Sequence, residues 1–366
     1  MEESLIKQAK AQRNYGIDLL RLISMFMVVV LHVLGQGGIL SNAQSLSVKG
    51  EIFWFLEIFC YCAVNVFAII SGIVGLKAKH KSRNLINLCL QLMFYAIILT
   101  CIDVVVSVCA DADVSILSIF SNLFPSVHAV WYFSAYFCLF FFIPMLNSIV
   151  ENVPRDVLRK WVIFIFTVFS CFGTFSSRMA NLNGGYSVLW LMILYLIGAY
   201  ISKYDLLNRL TPSKGFLCFL GCVLLTSLSR IAFGKAGIDA NMFVSYTSPT
   251  ILLSAIFLVA SFKKIKLGDK AKKIVIFLSP MTFGVYLFHC HPIVFDQLSD
   301  TFSWVAFESV YIAPFIVIGI SLAIYASCLF IDWLRLLLFK ACKMKDFSIC
   351  LEKFFQKIFA SISNLF

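Results

Sequence analysis

Apolar runs of membrane-crossing length recur along the whole chain, separated by short polar breaks. A bilayer core needs about 20 consecutive apolar residues in a helix. Ten runs approach that length, at roughly 17–35, 52–75, 85–109, 129–149, 161–177, 187–202, 215–233, 246–262, 274–297 and 310–334. Those near 161 and 187 are short, and Pro249 interrupts the one near 246. In lipid every backbone polar group must find its partner inside the protein, so runs this long read as helices. The pattern predicts an all-α polytopic membrane protein with about ten transmembrane helices. The breaks leave no room for a separate soluble domain, the longest lying near 110–128. Any site must therefore be built by the helices and short loops. The expected organisation is a cytoplasmic segment at 1–16, one transmembrane domain at 17–338, and a cytoplasmic tail at 339–366.

The tail has a pattern of its own. Phe347, Leu351, Phe354, Phe355, Ile358, Ile362 and Leu365 recur at helical spacing, with Lys353, Gln356 and Lys357 on other faces. This predicts an amphipathic helix lying on the inner leaflet, where basic residues meet anionic lipid.

Charge placement sets the topology. Cytoplasmic loops carry the excess of Lys and Arg. With the N-terminus inside, alternate breaks hold nearly all of the 30 Lys and Arg. The exceptions are Lys49, Arg178, Arg230 and Lys235 in external segments, and Arg21 within the first span. An even number of spans with both termini cytoplasmic follows. Composition agrees: the chain is 61% hydrophobic and 13% charged, with mean hydropathy +0.92, where a soluble domain carries about 25% charge. The net charge of +11 would raise nucleic acid as a partner of a soluble protein. Here its position explains it, and the expected partner is membrane lipid, not nucleic acid.

The polar first 16 residues and the long apolar run behind them read as an uncleaved signal anchor. Thirteen scattered cysteines without a C-x-x-C pair argue against a disulfide framework. His289-Cys290-His291 resembles a metal motif, but positions i and i+2 of a helix diverge by ~200°, so the two imidazoles cannot share an ion. No metal is expected.

The first span, IDLLRLISMFMVVVLHVL, carries Asp18, Arg21 and His32. At ~100° per residue, the step from Arg21 to His32 returns to within ~20° of its start, and a rise of ~1.5 Å per residue puts the two ~16 Å apart along the axis. Asp18 precedes Arg21 by three, also a same-face step. Ionisable groups in hydrocarbon are costly and face a bundle interior or a wet cavity. Snorkelling explains Asp18 or Arg21 alone, but His32 lies too deep for it. Further candidates follow along the chain. Glu57 is a lone carboxylate in the outer part of the second span. Ser71-Gly72 reads as helix packing near the inner end of that span. Lys77, Lys79, His80, Lys81 and Arg83 form a basic mouth to the third span, a positive-inside flank or a site for phosphate groups. His128 and Trp131 lie at the outer end of the fourth, where aromatic belts are common. Tyr286 and His289 share one face of the ninth.

Five segments in order, IDLLRLISMFMVVVLH, VFAIISG, HAVWYFSA, LYLIGAYI and SPMTFGVYLFH, resemble the acyltransferase-3 family of integral membrane acyltransferases. The likeness runs from about Tyr15 to Trp333, and an arginine, ten residues and a histidine in the first span is its most specific part. The resemblance implies an O-acyltransferase of the bacterial cytoplasmic membrane in its stand-alone form. It implies acyl-CoA, usually acetyl-CoA, as a cytoplasmic donor substrate rather than a resident cofactor, and a hydroxyl of an extracytoplasmic or lipid-linked glycan as acceptor. Arg21 and His32 carry over as functional residues. The basic mouth is similar to a paired-arginine feature of the family, with Arg83 as one member and Lys79 or Lys81 as the other, while Asn87 stands where another Arg is expected.

The residues suit these roles. Arg21 and Arg83 would hold the donor phosphates, with Lys81, Lys79 and Ser71 beside them. His32 would act as general base or brief acyl carrier, with Asp18 orienting Arg21. Glu57, His128, Trp131, Tyr286 and His289 would shape the acceptor cavity. The rival reading is a multi-pass transporter or flippase for a glycan or organic anion, although the matched Gly/Pro-broken repeats typical of transporters are not visible.

Overall fold

Asn14 starts the first helix: its Oδ1 accepts from the Ile17 N–H at 3.1 Å, satisfying one of the donors that a helix start leaves open. The computed structural model describes residues 13–124, 130–175 and 181–363, and no strand occurs among them. In chain order the main helices are α1 (Tyr15–Leu34), α2 (Val48–Tyr61), α3 (Ala63–Gly75), α4 (Ser82–Cys109), α5 (Trp131–Asn152), α6 (Arg155–Ile165), α7 (Val188–Lys203), α8 (Pro212–Lys235), α9 (Pro249–Lys263), α10 (Asp269–Leu278), α11 (Thr282–His289), α12 (Ala313–Ala341) and α13 (Met344–Ser363). Eight helical stretches are long and apolar enough to cross a bilayer, with α2–α3, α6 and its continuation to Phe175, and α10–α11 each counted as one. Two shorter apolar helices, α7 and α9, join them. The chain is an all-α polytopic membrane protein, as the ten apolar runs predict.

Several spans are less uniform than the hydropathy pattern suggests. The second breaks at Cys62 (φ −72°, ψ −9°), between α2 and α3. The fifth passes through a π-helical turn at Phe166–Phe172. The ninth passes through a 3₁₀ turn at Ser279–Met281, where Pro280 removes a backbone donor. It then stops at His289, and Pro292 opens a separate short helix, Pro292–Gln297. Pro249, expected to interrupt a span, instead begins α9, where its missing N–H is an orphan in any case.

The bundle has an inside helix and a lipid-facing rim. Val105, Val106, Leu225, Leu228, Phe315 and Leu322 on α4, α8 and α12 are exposed, an apolar coat suited to lipid. By contrast α7 is buried from Trp190 to Ser202 nearly without a break, as befits a helix apolar on all sides. Glycines seat it on α3. A Cβ on Gly72 would meet the Tyr195 carbonyl, and one on Gly198 the Ile69 carbonyl. Ser202 Oγ also donates to Ile73 O at 3.0 Å. The Ser71-Gly72 signal is thus the close helix approach that small residues permit.

Contacts distinguish the two ends. At one, Asn14 Nδ2 donates to Lys263 O at 2.8 Å, Lys263 Nζ to Asp205 Oδ1 at 2.6 Å, Lys203 Nζ to Val150 O at 2.6 Å, and Asn147 Nδ2 to Gly75 O at 3.2 Å. The start of the chain and the breaks near 76–81, 153–154, 204–211 and 264–268 therefore gather on one face, which is the grouping the Lys/Arg pattern requires. At the other end, the Asp300 N–H donates to Gln36 O and the Phe302 N–H to Gly37 O. Arg230, assigned to an external segment from the sequence, is buried at that end, paired with Glu51 and 4.2 Å from the Trp54 ring centroid.

Two charged contacts join distant parts of the chain. The fully buried Asp332 on α12 accepts from Arg335 Nε at 2.6 Å, from Arg335 Nη2 at 2.8 Å and from Tyr95 O–H on α4 at 2.6 Å. Its carboxylate also fills the space where a Cβ on Gly284 of α11 would go. At the basic end, Arg83 donates from Nε and Nη2 to Glu352 Oε2 on α13 at 2.9 and 2.7 Å, and its backbone N–H reaches Oε1 at 3.2 Å. The Arg83 guanidinium holds the Glu352 carboxyl below the usual carboxylate range. Phe347, Phe354, Phe355 and Ile358 of α13 stay exposed.

Candidate active site

The polar stripe of α1 faces a cavity. Arg21, Met25, Val28, His32 and Gln36 recur at helical spacing along one wall of a space of about 830 Å³. The opposite walls bring Glu57 and Tyr61 from α2, Val64 and Phe67 from α3, Trp131 and Tyr132 from α5, and Thr282 and Tyr286 from α11. A second cavity of about 170 Å³ lies at the basic end, lined by Arg21, Ser71, Lys79, His80, Lys81 and Tyr136. Arg21 borders both, so it stands where the basic mouth meets the larger chamber.

Asp18 does not line either cavity. It is buried behind Arg21, accepting from Arg21 Nη1 at 2.9 Å and from Arg13 Nε at 2.5 Å. One carboxylate thus orients two guanidinium groups, which keeps Arg21 aimed and leaves its remaining donors available.

His32 is half-buried and lines the chamber. Its Nδ1 lies 2.9 Å from His289 Nε2. The buried His289 ring has its Nδ1 2.6 Å from Val285 O. Cys290 Sγ flanks the pair, 3.5 Å from His289 Nε2 and 3.8 Å from His32 Nδ1. Phe295 closes the other side with its edge-on ring, 5.1 Å between centroids. An imidazole placed this way, with a face on a cavity and a partner behind it, can take and return a proton or carry an acyl group.

The far part of the chamber is aromatic. Trp131 packs on Tyr186 and Tyr246 with centroids 4.7 and 6.1 Å away, and Tyr61 lies 4.8 Å from Tyr246. Asn65 fixes this wall: its Nδ2 donates to Tyr246 O at 2.8 Å, and its Oδ1 accepts from Trp190 Nε1 at 3.1 Å. Glu57 enters the same wall, and its Oε2 is buried with no hydrogen-bond partner among the described residues. The Tyr286 hydroxyl accepts from the Tyr132 N–H at 3.2 Å, tying α11 to the start of α5.

The sequence-predicted residues therefore separate into groups. Arg21, His32, Glu57, Trp131 and Tyr286 share the large chamber, with His289 directly behind His32. Ser71, Lys79 and Lys81 line the basic mouth with Arg21. Arg83 lines neither space, because Glu352 engages it. His128 lies outside the described residues. His291 turns from the site, with Nε2 3.2 Å from Asn122 O. Instead His289 and Cys290 meet His32, three potential ligand atoms within 4.8 Å of one another. That grouping, and the roles of Tyr61, Tyr186 and Tyr246 as walls, escaped sequence reasoning. Only the aromatic richness of the outer helix ends hinted at the walls.

Searches among curated proteins and among solved structures find no match to the chain. A family model described as "Acyltransferase domain" matches residues 14–334, which takes in every helix that lines the chamber and the basic mouth. Covered over nearly its whole length, and with a histidine set into a membrane cavity behind an oriented arginine, the chain belongs to the acyltransferase-3 family of membrane acyltransferases.

Proposed function

We propose that the protein moves an acetyl group from cytoplasmic acetyl-CoA to a hydroxyl of an extracytoplasmic or lipid-linked glycan, across the bacterial cytoplasmic membrane. The observation that carries this reading is the pair of cavities meeting at Arg21, with His32 beyond them in the larger chamber. A nucleotide thioester is polyanionic at one end and thin at the other. Its phosphates suit the mouth made by Arg21, Lys79 and Lys81, with the Ser71 hydroxyl at its edge. Its pantetheine arm suits the largely apolar passage past Met25 and Val28 towards His32.

In this reading His32 is the general base. The acceptor O–H bond breaks as its proton moves to the imidazole, and the freed oxygen attacks the thioester carbonyl. The departing thiolate then takes that proton back, so the imidazole ends the cycle unchanged. Asp18 holds Arg21 in place. Trp131, Tyr61, Tyr186 and Tyr246 offer flat apolar faces to a sugar ring, and Glu57 offers an unmatched acceptor to one of its hydroxyls. Tyr286 fixes the wall between the two regions. Arg83 reaches the donor only when Glu352 releases it.

The test is acetyl-CoA binding to the purified full-length chain. Wild type binds acetyl-CoA, and Arg21→Ala binds about ten- to a hundredfold more weakly, the loss of hydrogen bonds to a charged phosphate. Absence of acetyl-CoA binding by wild type would favour a carrier of glycans or organic anions.

A further inference from the structure

We infer that His289 is the positioning residue of this site: it fixes the tautomer of His32, so that Nε2 is the nitrogen presented to the acceptor. The inference rests on the reading of His32 as the base.

The argument follows the protons outward from the backbone. A carbonyl oxygen only accepts, so the 2.6 Å contact with Val285 O puts a hydrogen on His289 Nδ1. A neutral imidazole has one N–H, which leaves His289 Nε2 with a lone pair. That lone pair faces His32 Nδ1 at 2.9 Å, a distance that requires a shared proton. The proton therefore sits on His32 Nδ1, and the lone pair of His32 is on Nε2. Nε2 has no hydrogen-bond partner among the described residues, on a ring that borders the chamber. The chain Val285 C=O, His289, His32 thus ends in one basic nitrogen at the cavity.

The same contact acts more strongly in the transition state. When Nε2 takes the acceptor proton, the ring becomes cationic and its Nδ1–H a stronger donor to His289. The interaction grows as the charge grows, which is the condition for it to speed the reaction rather than merely hold the ground state. A metal ion between the rings fits the geometry less well. At about 2.1 Å from each nitrogen it would subtend an N–metal–N angle near 90° at the observed separation, well short of tetrahedral.

The experiment compares His289→Gln with His289→Leu in the full chain, each checked for yield and monodispersity. The Gln amide oxygen can accept from His32 Nδ1–H; Leu cannot. Two readouts are taken: acetyl transfer from labelled acetyl-CoA in membranes, and the ring ¹⁵N spectrum of histidine-labelled protein, with His32 assigned by its loss in His32→Ala. The expected result is a fall of about 10²-fold in kcat for His289→Leu with an unchanged KM for acetyl-CoA. His289→Gln retains activity within about tenfold of wild type. The His32 spectrum shows the Nδ1–H tautomer in wild type and His289→Gln and a mixture in His289→Leu. Equal activity of the two variants, an unchanged tautomer in His289→Leu, or activity abolished by a chelator and restored by zinc would each overturn the inference. Full activity in His32→Ala would remove the base itself, and is distinguishable because it does not depend on any His289 variant.

Discussion

Asp332→Ala tests whether a buried charge network holds the site's scaffold. The carboxylate is fully buried and takes three hydrogen bonds, two from Arg335 and one from Tyr95. Counted singly, at ~1.5–3 kcal/mol for each bond to a charged group, the three would sum to ~4.5–9 kcal/mol, more than half of the ~5–15 kcal/mol that a whole protein typically possesses. The bonds share one acceptor and are not independent, so the better measure is the ~3–5 kcal/mol cost of leaving one buried charge of a pair without its partner. Arg335→Leu should cost a similar amount, because Asp332 then keeps only the Tyr95 hydroxyl. The double variant, with no buried charge left, should cost clearly less than the two single losses added together. The assay is reversible unfolding in mixed micelles, read by helicity against denaturing detergent. Because Asp332 also packs against Gly284 on α11, the single variants should lower acyl transfer along with stability. A change within about 0.5 kcal/mol for Asp332→Ala, the size of an ordinary surface substitution, would refute the reasoning. So would additive losses in the double variant.

Four further outcomes follow from the structure. Gly198→Val should destabilise by about 1–3 kcal/mol, since the added carbons meet the Ile69 backbone rather than a movable side chain; an unaltered unfolding midpoint would mean that α3 and α7 are not in contact. Glu352→Gln should free Arg83 and lower the KM for acetyl-CoA several-fold, an effect absent when Arg83→Ala is added; no change in KM would remove Arg83 from the donor site. The same ion pair has a predictable pH dependence, because Arg83 depresses the Glu352 carboxyl: docking of α13 is fully present above the ordinary carboxylate pKa of about 4.3 and is lost as pH falls through the lower folded value. Spin-label distances between α4 and α13 that change between pH 6 and 8 would contradict that assignment. Trp131→Ala should raise the acceptor KM about two- to tenfold with a smaller effect on kcat, as expected for a lost ring contact; a pure loss of kcat would place Trp131 at the reacting atoms instead.

The features legible in the sequence were those carried by local periodicity. Apolar runs gave the ten helices, because span length is fixed by bilayer thickness. The eleven-residue step from Arg21 to His32 gave the cavity-lining face of α1, because helical phase is a local property. The grouping of basic loops at one end also followed, since adjacent spans alternate direction. Pairings between distant residues were not legible. His32 meets His289 across 257 residues and Arg83 meets Glu352 across 269, and nothing in either local pattern announces the partner. Arg230, near the end of the seventh apolar run, counts as an external cation by charge placement alone, yet Glu51 and Trp54 from α2 bury it. The unwinding at Cys62 leaves no proline or glycine signal at that position. Helix phase separates His289 from His291, but it does not reveal that His289 and Cys290 meet His32, a contact made only by the tertiary fold.

The central claim is that His32 performs acyl transfer in the chamber. Its most direct test is transfer of label from radiolabelled acetyl-CoA to extracytoplasmic glycan, in membranes holding matched amounts of wild type and His32→Ala. Label that appears with wild type and falls by about 10²–10⁴-fold in the variant is the predicted result, the range for loss of a general base. Equal labelling with both proteins would contradict it.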